Sequence, residues 1–126
     1  YAHHPTEIKS VLQSVRMTHA NRKIISVFQP HRYSRLKFLK KDFSSSFKDS
    51  NLVILCPVYS AGEKVDKEYD EIEFAKLIAK NSKVQVITVK NEKNLRKFFI
   101  KNLISNELII CMGAGSISKW IREMDL

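Results

Sequence analysis

Hydrophobic residues fall in short runs at 24–28, 52–57, 84–89 and 108–112, each nearly continuous in Val, Ile, Leu or Phe. Runs of this length and composition predict strands covered on both faces. The segments between them follow a helical period instead. Ile8, Leu12, Val15 and His19 share a stripe over 6–20, and Leu36, Leu39, Phe43 and Phe47 share one over 33–47. Phe74, Leu77 and Ile78 mark a helix over 71–80, and Phe98, Phe99 and Leu103 one over 95–104. A short last helix, 117–124, carries Trp120, Ile121 and Met124. Stripes of this kind face a core. Alternation of the two periods predicts an α/β domain of βα units around a mostly parallel sheet. Pro5 suits the first turn of its helix, where a missing N–H costs nothing. No internal repeat or low-complexity linker divides the chain, and 126 residues match one domain.

In an open α/β sheet, ligands bind beyond the carboxyl ends of the strands, beside the amino ends of the following helices. The first strand runs into Gln29-Pro30-His31-Arg32-Tyr33-Ser34-Arg35, the second into Val58-Tyr59-Ser60-Ala61-Gly62-Glu63, and the last into Gly113-Ala114-Gly115-Ser116. Arg32 and Arg35, three apart at a helix start, are predicted to project from one face. Beside free helical N–H groups, their planar guanidinium forks suit a carboxylate or phosphate, which also gains from the helix dipole. Exposed arginines paired with acidic neighbours are the plainer alternative. His3 and His4 are candidates for acid–base or metal chemistry. Adjacent residues point apart, however, so at most one faces a ligand, and a capping or packing role accounts for them equally. The Gly113–Ser116 stretch resembles the opening of a dinucleotide fingerprint without its third glycine or acidic partner. A tight turn with close backbone packing explains it as well. No Gly-x-x-x-x-Gly-Lys-Ser/Thr loop occurs, so the chain has no P-loop with which to cradle a nucleoside triphosphate.

A formal net charge of +9 admits a nucleic-acid surface or anionic ligands. Much of the excess is lysine spread over predicted helices (Lys37, Lys40, Lys41, Lys48; Lys93, Lys97, Lys101), the pattern of a solvated face. Cys56 and Cys111 sit inside apolar runs without metal-ligand spacing and are expected to be reduced, buried thiols. No run approaches the ~20 apolar residues of a membrane helix, and no signal-peptide pattern opens the chain, so a cytoplasmic protein without membrane partners is expected. The chain opens on a dense polar cluster at Tyr1 rather than on Met, and is expected to be a piece of a longer protein.

Tyr1-Ala2-His3-His4-Pro5-Thr6-Glu7, Phe28-Gln29-Pro30-His31-Arg32-Tyr33-Ser34-Arg35, Val58-Tyr59-Ser60-Ala61-Gly62-Glu63 and Met112-Gly113-Ala114-Gly115 occur in this order over nearly the whole chain. Together they resemble the carboxy-terminal domain of the Mur ligase family, in its MurC branch of UDP-N-acetylmuramate:L-alanine ligases. The Mpl branch, which joins a tripeptide to the same nucleotide sugar, has a similar His-His-Pro-Thr opening. Glu7 and the stretch around Arg32 are closer to MurC.

The resemblance implies a Rossmann-like fold with helices on both faces, residues 1–126 forming the amino-acid-binding domain of a three-domain enzyme. It implies an ATP-dependent, amide-forming ligase of peptidoglycan precursor synthesis, with UDP-N-acetylmuramate and L-alanine as substrates. ATP phosphorylates the muramoyl carboxylate, the amine of L-alanine attacks the acyl phosphate, and Mg²⁺ screens the developing charge. ATP and Mg²⁺ are expected to bind mainly to the central domain. Arg32 and Arg35 are assigned to the amino-acid carboxylate, His31 and His3 to the same substrate site, and Tyr1 to the vicinity of the nucleotide. Tyr59, Glu63, Gly113 and Gly115 line the cleft. No catalytic residue or metal ligand falls in this chain, and the acidic residues that precede the tyrosine in the family motif are not in it, so the isolated domain is expected to be inactive. The competing class, a basic anion- or nucleic-acid-binding module, requires a continuous basic stripe with interleaved aromatics. The sequence fits that less well, and no nucleic-acid partner is expected.

Overall fold

A computed structural model describes residues 4–102, 106–113 and 117–123. The elements are α1 (Pro5–Thr18), β1 (Ile24–Phe28), α2 (Tyr33–Ser44), β2 (Leu52–Leu55), α3 (Glu71–Ser82), β3 (Gln85–Thr88), α4 (Glu92–Asn102), β4 (Leu108–Met112) and α5 (Ile117–Glu123). The strands form one four-stranded sheet in the order β3-β2-β1-β4. All pairings are parallel, with Ile25 opposite Leu52 and Ile109, and Phe28 opposite Leu55 and Met112. The chain walks outward from β1 to β3 and then returns to the other side of β1. The crevice beyond β1 and β4 is therefore the topological switch point, the place where such sheets bind ligands.

Alternate residues of the central strands feed two cores. Ile24, Phe28, Val53 and Leu55 pack with Ile8 and Leu12 of α1, Leu36 and Phe43 of α2, and Phe74 and Ile78 of α3. Ile25, Val27, Leu52 and Ile54 pack with Leu95 and Phe99 of α4 and Ile117 of α5. Helices thus cover both faces. Phe28 lies 5.3 Å from both Phe43 and Phe47, ring centre to ring centre, a setting in which loss of the ring typically costs about 3–5 kcal/mol. Burial on both faces holds for β1 and β2 but not for the edge strands: β4 is half-covered along most of its length and Gln85 of β3 is exposed.

Several element ends depart from the apolar pattern for identifiable reasons. β2 stops at Leu55 because Pro57 has no N–H to continue the ladder. α2 stops at Ser44, where the hydroxyls of Ser44, Ser45 and Ser46 turn back onto the carbonyls of Lys41 and Asp42 and compete with the helix. Phe47 stays buried just beyond it. α4 starts earlier than its apolar stripe because the Asn91 side chain accepts from the Asn94 N–H at 2.9 Å. Asp70 caps α3 in the same way, accepting from Ile72 and Glu73.

Candidate functional site

The site is built where β1 and β2 leave the sheet. Beyond Phe28, Gln29 is only 3% exposed and joins three elements. Its N–H donates to the Met112 carbonyl at 3.0 Å, its side-chain amide to the Pro57 carbonyl at 3.3 Å, and its Oε1 accepts from the Ile117 N–H at 2.9 Å. Gly113 lies against this residue with φ +149°, and a Cβ there would come within 2.9 Å of the Gln29 carbonyl oxygen. Close backbone packing therefore accounts for Gly113 directly.

Two residues further along, the β1 and β2 exits pair once more. His31 and Tyr59 form an isolated parallel bridge, with their rings stacked 5.6 Å apart at 18°. The Tyr59 N–H donates to the Pro30 carbonyl and the Arg32 N–H to the Tyr59 carbonyl, both at 2.8 Å. Arg32 is the N-cap of α2, with φ +70° and no side-chain cap bond, and Arg35 lies in the first turn. Together with His31, Ser34 and Phe38 they line an open groove of about 390 Å³. Phe38 is 88% exposed.

The expectation of free amides at the start of α2 needs correction at Ser34. The Glu63 carboxylate accepts from the Ser34 N–H at 3.3 Å and from the Ser34 hydroxyl at 2.5 Å. The Ser34 hydroxyl bond holds the Glu63 carboxyl below the usual carboxylate range, helped by the amides of Ser34 and Tyr33 and the Arg32 charge and opposed by desolvation. The anion that takes the Ser34 amide at this helix start is the chain's own.

Of the nine residues singled out from the sequence, the fold brings His31, Arg32, Arg35, Tyr59 and Glu63 into one region and puts Gly113 at the neighbouring strand end. Tyr1, His3 and Gly115 lie outside the described residues. His4 is described, and its Nδ1 accepts from the Thr6 N–H at 3.3 Å as the N-cap of α1. It lines a separate groove with Pro5, Lys9, Asp42, Ser45 and Ser46, beside the carboxyl end of α2 rather than its start. Sequence reasoning assigns no role to Phe38 or Gln29. The available signals were a phenylalanine off its own helix stripe and an amide at the end of a fully apolar strand.

Cys56 is buried and its thiol is pushed up to about 12, mainly by burial, with Cys111 and Glu71 adding to it. Cys111 is half-buried rather than buried, and burial raises it to about 11. Both are free thiols, protonated at neutral pH and poor nucleophiles. Among the described residues, no group of His, Cys, Asp and Glu is arranged to hold a metal ion, and no helix is long and apolar enough to cross a membrane.

The Mur ligase, glutamate ligase domain model matches residues 1–115. A UDP-N-acetylmuramate--L-alanine ligase of Pelagibacter ubique is 50% identical over 124 residues, covering 98% of this chain and 27% of the relative. The ligase of the same name from Acetivibrio thermocellus is 41% identical over 126 residues, covering 100% and 26%. The chain thus spans about a quarter of the length of the curated relatives it matches. Among solved structures, the MurC of Thermotoga maritima aligns with a TM-score of 0.68 at 26% identity, over 97% of this chain and 24% of that one. A murein peptide ligase of Psychrobacter arcticus aligns with a TM-score of 0.73 at 15% identity, over 97% and 25%, and shares the fold. The chain belongs to the Mur ligase family, of which it forms the glutamate ligase domain.

Proposed function

We propose that this chain is the amino-acid-binding domain of a longer, ATP-dependent, cytoplasmic ligase that joins L-alanine to UDP-N-acetylmuramate in peptidoglycan precursor synthesis. The observation that carries the reading is the shared groove of Arg32 and Arg35 at the carboxyl edge of the sheet, in a chain half identical to a ligase of that name. A free amino acid reacts through its amine, so its carboxylate must be fixed while the amine is left facing the acyl carbon. Positioning of this kind supplies much of a bimolecular reaction's acceleration. Two guanidinium forks suit that task, and with the Ser34 amide already engaged by Glu63 they are the strongest donors lining the groove.

We expect ATP and Mg²⁺ to bind mainly outside this chain. It has no P-loop, and its described residues assemble no cation cluster. We assign both mainly to the rest of the longer protein, with the UDP sugar, and expect the chain alone to show no L-alanine-dependent ATP hydrolysis. A nucleic-acid role is disfavoured by the placement of the lysines. Lys37, Lys40 and Lys41 ride on α2 and Lys93, Lys97 and Lys101 on α4, which cover opposite faces of the sheet and do not merge into one stripe. In the full-length protein, Arg32→Ala and Arg35→Ala should chiefly raise the KM for L-alanine. Unchanged kinetics in both would refute the carboxylate role.

A further inference from the structure

Arg32 holds a backbone conformation unusual for any residue with a side chain, with φ +70° and ψ 134°. Conformations of this kind persist only where the surroundings over-determine them. Local sequence does not do so here, since Arg32 caps α2 without a side-chain cap bond. The restraint comes from the segment that leaves β2. Tyr59 takes the Arg32 N–H, and Glu63 takes both the N–H and the hydroxyl of Ser34, two residues further on. Glu63 thus performs the office of an N-cap, ordinarily filled by a residue of the helix's own segment, from a position 29 residues away.

We propose that Glu63 is a positioning residue: a cap delivered from the β2 exit that fixes the first turn of α2 and thereby the angles at which Arg32 and Arg35 enter the groove. Its second effect is exclusion. By occupying the Ser34 amide in the first turn it leaves an incoming carboxylate one fewer backbone donor beside the two guanidinium groups, and so biases which way the amine points. This inference rests on the reading of the groove as the amino-acid site.

The test uses the full-length ligase with L-alanine, varying Glu63→Ala, Glu63→Gln, Ser34→Ala, Arg32→Ala, Arg35→Ala and the Glu63→Ala/Arg35→Ala pair, with folding followed by circular dichroism. Misplacement of a binding group by about an ångström can cost up to ~100-fold. Glu63→Ala should accordingly lower kcat/KM for L-alanine by about 10- to 100-fold while the KM for the nucleotide sugar stays within about twofold. Glu63→Gln keeps an acceptor for the Ser34 N–H and should recover part of the loss. The double variant should be little worse than Arg35→Ala, because both changes act on one contact. If Arg32→Ala and Arg35→Ala both leave L-alanine kinetics unchanged, the groove reading falls and this proposal with it. If they impair L-alanine use while folded Glu63→Ala and Ser34→Ala do not, the positioning role alone is overturned. It is also overturned if the Glu63→Ala loss is shared equally by the nucleotide sugar. Should Glu63→Ala fail to fold, Ser34→Ala, which removes the hydroxyl bond, decides the matter alone.

Discussion

Gly113 and Gln29 touch backbone to backbone at the switch point of the sheet: a Cβ on Gly113 would meet the Gln29 carbonyl oxygen at 2.9 Å and the Ile117 side chain at 3.1 Å. The neighbour on one side is main chain in a central strand exit, which cannot yield without disturbing the Gln29 bonds to Met112, Pro57 and Ile117. Gly113→Ala should therefore destabilise the chain by about 1–3 kcal/mol, from contact and from an unfavourable φ together. Thermal unfolding measures this directly, and a melting temperature within a degree or so of wild type would show that the turn relaxes freely.

Acid should loosen the start of α2. The Glu63 carboxyl is held low, first by the Ser34 hydroxyl and then by the neighbouring amides and Arg32. Its folded value lies below its unfolded one, so the stabilisation is intact above the ordinary carboxylate range and is lost as pH falls toward the depressed value. Melting temperatures taken from pH 7 downward should drop less steeply for Glu63→Gln than for wild type. Parallel curves would mean that the charge of this carboxylate carries no weight.

The two thiols should be silent in the folded chain. With Cys56 raised to about 12 and Cys111 to about 11, almost no thiolate exists at pH 8. A disulfide reagent such as dithionitrobenzoate should titrate neither cysteine promptly in buffer and both in guanidinium. Rapid reaction of either thiol in the native chain would contradict the raised values.

Strand β1 (Ile-Ile-Ser-Val-Phe) and strand β4 (Leu-Ile-Ile-Cys-Met) are legible to the residue, because each short apolar run is closed off, by Lys23 and Gln29 in one case and by Glu107 and Gly113 in the other. The ends of β2 and α2 are not, since hydrogen bonding rather than hydrophobicity decides them. Pro57 ends a ladder without ending the apolar run, and Phe47 continues a helical stripe after the helix itself has stopped. The site divides in the same way. Arg32 and Arg35 stand out because they follow a buried strand, where the topology of α/β sheets concentrates ligands. The bond from Glu63 to Ser34 leaves no trace in the sequence, because a cap supplied from another segment has no fixed spacing to recognise. Gln29 is invisible for a related reason: its role lies in three partners drawn from β4, the β2 exit and α5, which only the sheet order brings together.

The bridge between His31 and Tyr59 lengthens the sheet by one rung at the edge where the groove opens. Arg32 begins immediately after that rung, so it is anchored to strand rather than suspended on a tether. If the groove holds the amino acid as proposed, the grip shares the coordinate frame of the central strands rather than that of a loop. The placement of the bound molecule would then be set by the sheet itself.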